Sequence, residues 1–348
     1  VYKRQANTQA TATIGEIFTY TVTVPSVPHS SPLYNVRILD NLAASAADLE
    51  FVGVQKISGS GAWVPENTGT PPDLVIEDLA QGIDIPAGEQ IVIEIAARLL
   101  DTPNNIAGLT FTNTAGWTYD LLNDDPSTRL VGVGSTTPPM TVVEPELTLE
   151  KGGPLQLRLG QAGTFSINVQ NTGAAAAYGI YVTDILPDSV NGGMCDAAPT
   201  NLVVQVYEAD GLTAVSAPLV EGTDFTTTFS GEPDCLFTLQ TLTPAAALAP
   251  DQRLIVTYDA EFDADTVRDA VLTNLAGATE WFNLDVADTN LATYARTYSR
   301  AITDGTVGTL DHEDAHTLVE FTPILAFEKT VANLTTGDDP TAVATPGD

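Results

Sequence analysis

Residues 311–316 read Asp-His-Glu-Asp-Ala-His, and His312-Glu313-x-x-His316 within them has the spelling of a zinc-hydrolase motif. In that chemistry two histidines one helical turn apart present both imidazoles to a metal. A glutamate between them polarises the bound water, and a third ligand comes from elsewhere. The geometry requires a helix. Here the flanks are "TDGTVGTL" and "TLVEFTP", a glycine-bearing loop and an alternating stretch, which leave no room for one. Residues four apart also share a face in a strand, so His312 and His316 stay weak candidate metal ligands and a metallohydrolase a remote alternative. The third histidine, His29, belongs to a distant segment. The expectation is a solvated loop with no metal.

Lysine is the other reactive type worth locating, because the chain has only four: Lys3, Lys56, Lys151 and Lys329. Lys151 in "PELTLEKG" and Lys329 in "PILAFEKT" occupy the same place in two matching phrases, each reading as a strand that opens a repeat. A residue otherwise avoided recurs where a strand enters a fold.

The elements that must position these residues are strands. "TYTVTV", "QIVIEIAA" and "RLIVTYDA" alternate apolar and polar residues and are rich in Val, Ile, Thr and Tyr, as half-buried strands are. "NTG", "PAG" and "LPD" punctuate them as turns, and helical periodicity is confined to a short turn near "SAADL". Phrases return in order. "GEIFTYTVTV" from Gly15 matches "GQAGTFSINV" from Gly160, placing Tyr20 on Phe165. "YNVRILDNL" matches "YGIYVTDIL", placing Asp40 on Asp184, and "TNTAGW" matches "TNLAGA", placing Asn113 on Asn274. Short strands without helical crossovers predict an all-β chain of tandem immunoglobulin-like antiparallel β-sandwiches. The predicted boundaries are 1–143 for repeat 1, 144–321 for repeat 2 with loop insertions, and 322–348 for the first strand of a truncated repeat 3. From Asn113 to Lys151 is 38 positions and from Asn274 to Lys329 is 55, so the second hairpin carries about 17 extra residues, with the histidine motif in or beside them. "VYKRQ" reads like an in-frame sequencing-adapter translation, so Val1–Gln5, including Lys3, are set aside, and the chain reads as the middle of a longer protein.

Of 348 residues, 13 are basic and 45 acidic, a formal net charge of −32. Such a surface repels phosphate backbones and anionic lipid, so neither nucleic acid nor a membrane surface is an expected partner. No apolar run approaches the roughly 20 residues of a membrane helix. The bland account of the charge is solubility; binding of Ca2+ by acidic loops is the alternative, and no other cofactor is expected. The two cysteines, Cys195 and Cys235, are either isolated core thiols or a disulfide, and a disulfide in an exported protein is preferred.

"GQAGTFSINVQNTGAAAAYGIYVTDILPD" resembles the repeat catalogued as domain of unknown function 11: a Lys-bearing strand, a Tyr/Phe strand running into "NTG", an Asp-x-Leu-Pro turn, and a closing "NTA" strand. Repeat 1 departs from it, with "VPSVPHS" for "VQNTG" and "DNLAA" for "DILPD". The resemblance implies stalk or adhesin modules of large prokaryotic surface proteins, related to fimbrial domains that form internal isopeptide bonds, and no enzyme. It also implies an order of residues: Lys151 on the first strand, Asp184 in the middle and Asn274 near the end. Repeat 1 offers Asp40 and Asn113, and repeat 3 offers Lys329. Burial would disfavour the ammonium and leave a neutral amine to attack, while a protonated carboxyl polarises the amide. The competing account has Lys151 snorkelling at a domain junction, Asp184 capping a turn and Asn274 making ordinary hydrogen bonds. The expected function is a structural stalk or spacer of an extracellular cell-surface or fimbrial-type protein, touching neighbouring repeats. The alternative is an adhesin module binding a surface ligand through loops between Val190 and Glu232 and around Ala301–His316.

Overall fold

The computed structural model describes residues 4–123, 125–285, 287, 291–303 and 311–322. It is all-β. Two separate apolar clusters form, one running from Ala12 to Val142 and the other from Leu147 to Leu318, each between two large sheets, with a small sheet of Thr11–Ala12, Met140–Val142 and Thr110–Phe111 adding to the first. The alternating sequences explain the layering. In Ile17–Val24, Phe18, Tyr20, Val22 and Val24 are buried while the residues between them are not.

In domain 1 one sheet runs Arg4–Asn7, Ile17–Val24, Ile91–Leu99, Leu49–Ser58. The other runs Arg129–Thr136, Thr114–Asp120, Tyr34–Asn41, Asp73–Glu77, Glu66–Asn67. Domain 2 repeats the first sheet strand for strand: Leu147–Gly152, Gly163–Asn171, Arg253–Ala260, Thr200–Tyr207. Its second sheet holds Gln156–Leu157, Glu313–Glu320, Val271–Phe282, Tyr178–Ile185, Leu236–Thr241 and Phe225–Ser230, with Thr297–Ser299 paired to Val271–Phe282. Arg4 and Gln5, set aside on sequence grounds, pair with Thr23 and Val22. Ladder hydrogen bonds are made by backbone, so the open edge of Ile17–Val24 accepts an extended segment whatever its side chains.

The turn phrases also have a physical role. In "NTG", the buried Asn171 donates to the carbonyls of Ala175 and Leu248, and its own carbonyl oxygen accepts from Gly173 N at 3.0 Å. Acidic loop residues close turns in the same way. Asp263 accepts from the backbone of Cys195 and Asp196, and Asp210 from Leu212 and Thr213. Backbone and side-chain donors of Thr213 hold the Asp210 carboxyl below its ordinary range. Among the described residues no group of three or more His, Cys, Asp or Glu side chains is placed to hold a metal ion. No described helix is long and apolar enough to cross a membrane.

Cys195 and Cys235 form a disulfide, with alpha carbons 5.3 Å apart and a sequence separation of 40. Both sulfurs lie in the core of domain 2, and the segment they close, expected as loop between Val190 and Glu232, instead holds the strands Thr200–Tyr207 and Phe225–Ser230. Closing a loop of that length should contribute about 4 kcal/mol by chain-entropy reasoning. Urea denaturation of domain 2 with and without reductant should show a stability loss of that order; coincident curves would show that the bond constrains nothing.

Candidate functional site

Four strands of domain 2 each place one polar side chain inward where the alternation calls for an apolar one. Leu147, Leu149 and Lys151 share the inner face of the opening strand. Ile180, Val182 and Asp184 do so on the next, followed by Leu254, Val256 and Tyr258, then Leu272, Asn274 and Ala276. The four polar residues meet. Lys151 Nζ donates to Asp184 Oδ2 at 2.7 Å and to the Tyr258 hydroxyl at 2.7 Å. That hydroxyl donates to Asp184 Oδ2 at 2.5 Å and accepts from Asn274 Nδ2 at 2.9 Å. One phenol oxygen therefore lies within 3 Å of both the amine and the amide nitrogen.

Water is excluded. The Lys151 and Asp184 side chains are fully buried, and the amine lies 4.6 Å from the centre of the Tyr258 ring and 5.7 Å from that of Phe165. Phe237 meets Tyr258 edge-on. Burial pushes the Lys151 amine down from its ordinary value, with Asp184 pulling the other way. Burial, then the Asp184 carboxylate, push the Tyr258 phenol well above its ordinary value, so it remains a donor. Two acceptors in this pocket, Asp184 Oδ1 and Asn274 Oδ1, have no hydrogen-bond partner. A proton moved from Lys151 to Asp184 would give the carboxyl a donor to offer and the amine a free lone pair. The arrangement is chemically poised for attack on an amide carbon.

The surroundings fix the lysine's strand. Lys151 N donates to Asp314 Oδ2 at 2.9 Å, locking the strand beside Glu313–Glu320. In "EKGG", a Cβ on Gly153 would lie 2.6 Å from the Phe165 ring, so this glycine is demanded by close packing against the aromatic wall. Lys151 does not snorkel, and Asp184 caps no turn.

The histidine motif is spent on the fold. Its C-terminal part begins the strand Glu313–Glu320. His316 pairs with Asn274 in register, and its Nε2 lies 3.0 Å from the Pro154 carbonyl. His312 Nε2 lies 3.0 Å from the Ala301 carbonyl, and Glu313 accepts from Thr303 N at 2.6 Å. Lys56 donates to the Gly61 carbonyl and rests over the Trp63 ring. Lys3 and Lys329 lie outside the described residues.

Domain 1 carries a related set. Asp40 Oδ2 accepts from the Tyr20 hydroxyl at 2.7 Å and from Asn113 Nδ2 at 2.7 Å. Sequence reasoning named the Lys, Asp and Asn positions but neither tyrosine. The available signal was the inward phase of Tyr20 in "FTYTV" and Tyr258 in "LIVTYDA".

No family model matches the chain, and no curated protein does. Among solved structures, the C-terminal domain of the Streptococcus pyogenes antigen I/II-family protein AspA is similar at 9% identity and TM-score 0.36, covering 91% of this chain and 98% of that one. The Enterococcus faecalis protein ACE, described as binding its ligands by the collagen hug model, matches at 11% identity and TM-score 0.28, covering 91% and 94%. Domains D2 and D3 of the Corynebacterium diphtheriae major pilin SpaD match at 10% identity and TM-score 0.30, covering 85% and 88%. Likeness at these scores carries no argument, and the fold class stands on the strands described above.

Proposed function

We propose that this chain is a load-bearing, non-enzymatic segment of an exported surface protein, and that domain 2 joins Lys151 to Asn274 through an internal amide bond. The observation that carries the reading is the joint burial of amine, carboxylate, phenol and amide around one oxygen. A buried ion pair is weak support for stability, because desolvating both charges costs as much as their attraction returns. Four polar groups at inward positions therefore call for a purpose beyond packing.

The step balances as follows. Lys151 passes a proton to Asp184, and the neutral amine attacks the Asn274 side-chain carbon. A Nζ–Cγ bond forms, Asp184 gives its proton to Nδ2, the Cγ–Nδ2 bond breaks and ammonia leaves; the second proton shed by Nζ returns to the Asp184 carboxylate, so the products are the amide, ammonia and a carboxylic acid. Nothing is oxidised or reduced. The bond links the opening strand in one sheet to a late strand in the other, so force along the chain bypasses everything between them. The disulfide and the acidic composition fit an oxidising, extracellular setting.

The purified two-domain chain should weigh one ammonia less than its disulfide-bonded sequence, and Lys151→Ala or Asn274→Ala should restore the full mass. A wild-type chain of full mass, folded by near-UV circular dichroism, would leave the cluster as a hydrogen-bonded core feature and end the cross-link reading.

A further inference from the structure

We propose that domain 1 carries a docking trough on its outer face, centred on Gly116, which takes an extended, basic segment of another protein through one branched aliphatic side chain. The inference does not depend on the cross-link in domain 2. The chain itself supplies the template for the occupant.

In domain 2 the equivalent face is covered by the chain's own insertion. The matched phrases "TNTAGW" and "TNLAGA" make Gly116 and Gly277 equivalent. A Cβ on Gly277 would lie 2.6 Å from Cγ1 of Ile302, so the isoleucine is seated where the glycine has no side chain. Ile302 belongs to the extra residues of the second hairpin. After Thr297–Ser299 has paired with Val271–Phe282, the chain crosses the sheet. Arg300 N donates to the Thr279 carbonyl at 2.9 Å, and Thr303 N to Glu313 at 2.6 Å, which holds the crossing in place.

Domain 1 leaves the same face open to solvent. Around a Cβ on Gly116, among the described residues, only the Leu39 carbonyl comes within 4 Å, at 3.9 Å. Ala115, Trp117, Ile38 and Ile76 are fully buried on the inner side, so Gly116, Leu39 and Val75 face outward in one row. Gly132 abuts the Trp117 ring from within, which turns its neighbours Val131 and Val133 outward beside that row. Leu39 is 37% exposed, Val133 50% and Val131 80%. The result is a glycine-floored trough with aliphatic walls.

The two domains differ in the direction a docking site requires. Leu39 and Thr183 are equivalent, because "YNVRILDNL" matches "YGIYVTDIL", and each lies opposite its glycine. The covered domain has threonine there and the open one has leucine. Solvent alone would select the reverse, whereas a contiguous aliphatic patch marks an interaction surface. Charge then selects the occupant. A net −32 repels a second copy and any acidic segment, and favours a basic one. The covering segment of domain 2 has that character, with Arg300 two residues before Ile302. At the rim of the trough Arg37 is neutralised by Glu77 at 2.6 Å.

The probe is a synthetic peptide of residues 297–303, Thr-Tyr-Ser-Arg-Ala-Ile-Thr, added at millimolar concentration to the two-domain chain with its leucine and valine methyls labelled for NMR. The expected result is a shift of the Leu39, Val131 and Val133 methyl signals, with those of Val182 and Leu239 in domain 2 unmoved. The same peptide carrying Ile302→Asp should shift none of them. Gly116→Leu fills the trough from its floor and should abolish the shifts, and Leu39→Thr, which installs the residue of domain 2, should diminish them. No shift with the parent peptide, or shifts that survive Ile302→Asp, would overturn the proposal. So would shifts unchanged in Gly116→Leu or, if that chain fails to fold, in Leu39→Thr. Shifts of the same methyls with protein concentration alone would make a second copy the occupant and overturn it too.

Discussion

With Asp184 changed to asparagine, domain 2 should still fold, but the loss of ammonia should slow by about 10²- to 10⁴-fold, the usual contribution of a positioned acid–base group. Asparagine keeps the shape and can still bond the Tyr258 hydroxyl. It also removes the one influence holding the Lys151 amine up, so burial alone acts and the amine is more readily neutral. The nucleophile survives and the proton carrier does not, which is why this variant isolates the role of Asp184. Intact mass followed over time after refolding would show it, and an Asp184→Asn chain joined as fast as the parent would remove Asp184 from the mechanism.

The same pair sets the pH dependence. Ammonium with carboxylate and amine with carboxylic acid hold one proton between them, and the second arrangement reacts. Exchange within the pair leaves the proton count unchanged, so the rate should be level through neutral pH. It should fall in alkali, when the shared proton is lost. Because burial lowers the Lys151 amine, the alkaline fall should begin below lysine's ordinary value of about 10.4. A rate that kept climbing to that value would mean an exposed amine acting without Asp184.

Much of this site was legible in the residues. Strand existence followed from alternation, and the repeats placed Asp184 and Asn274 on equivalents of Asp40 and Asn113. The same alternation resolves whether Lys151 sits in a linker or a core: in "LTLEKG" it follows Leu147 and Leu149 at steps of two, so a strand that buries the leucines buries the lysine. The glycines after it suggest a linker only until the aromatic wall against Gly153 is known. Tyr258 was harder to find because tyrosine is an ordinary strand residue, and only the meeting of two sheets shows its hydroxyl beside Asp184. The extra residues of repeat 2 could be counted, but not what they touch. That contact is long-range, between a hairpin insertion and a domain more than a hundred residues earlier.

Replacing Arg296 with alanine should loosen the junction between the domains while leaving both folded. The insertion that follows Val271–Phe282 reaches back to domain 1 and the segment between the domains. Arg296 there binds Asp101 at 2.7 Å, Glu144 at 2.6 Å, and the carbonyls of Thr102 and Asn105 at 2.7 and 2.8 Å. Four of the five guanidinium N–H bonds are thus spent on domain 1 and the connecting strand end, a fork that lysine's single ammonium could not reproduce. Asn283 adds bonds from its side chain to Thr13 and the Ile14 carbonyl, and the Arg98 guanidinium lies 3.5 Å over the Tyr294 ring. Tyr298 donates to the second oxygen of Glu144, and burial followed by that carboxylate pushes its phenol far up, so it stays a donor. Arg296→Ala would strand Glu144, whose side chain is only 14% exposed, with that phenol as its remaining named partner. The cost should be about 2–3 kcal/mol, short of the 3–5 of a fully buried pair because Asp101, 42% exposed, rehydrates. Spin labels on the two domains should report a narrow distance distribution in the parent and a broad one in Arg296→Ala, with Arg296→Lys nearer the alanine variant. A tandem spacer transmits direction as well as force only if its joints are stiff, so equal widths in all three proteins would mean that this insertion decorates the junction without holding it.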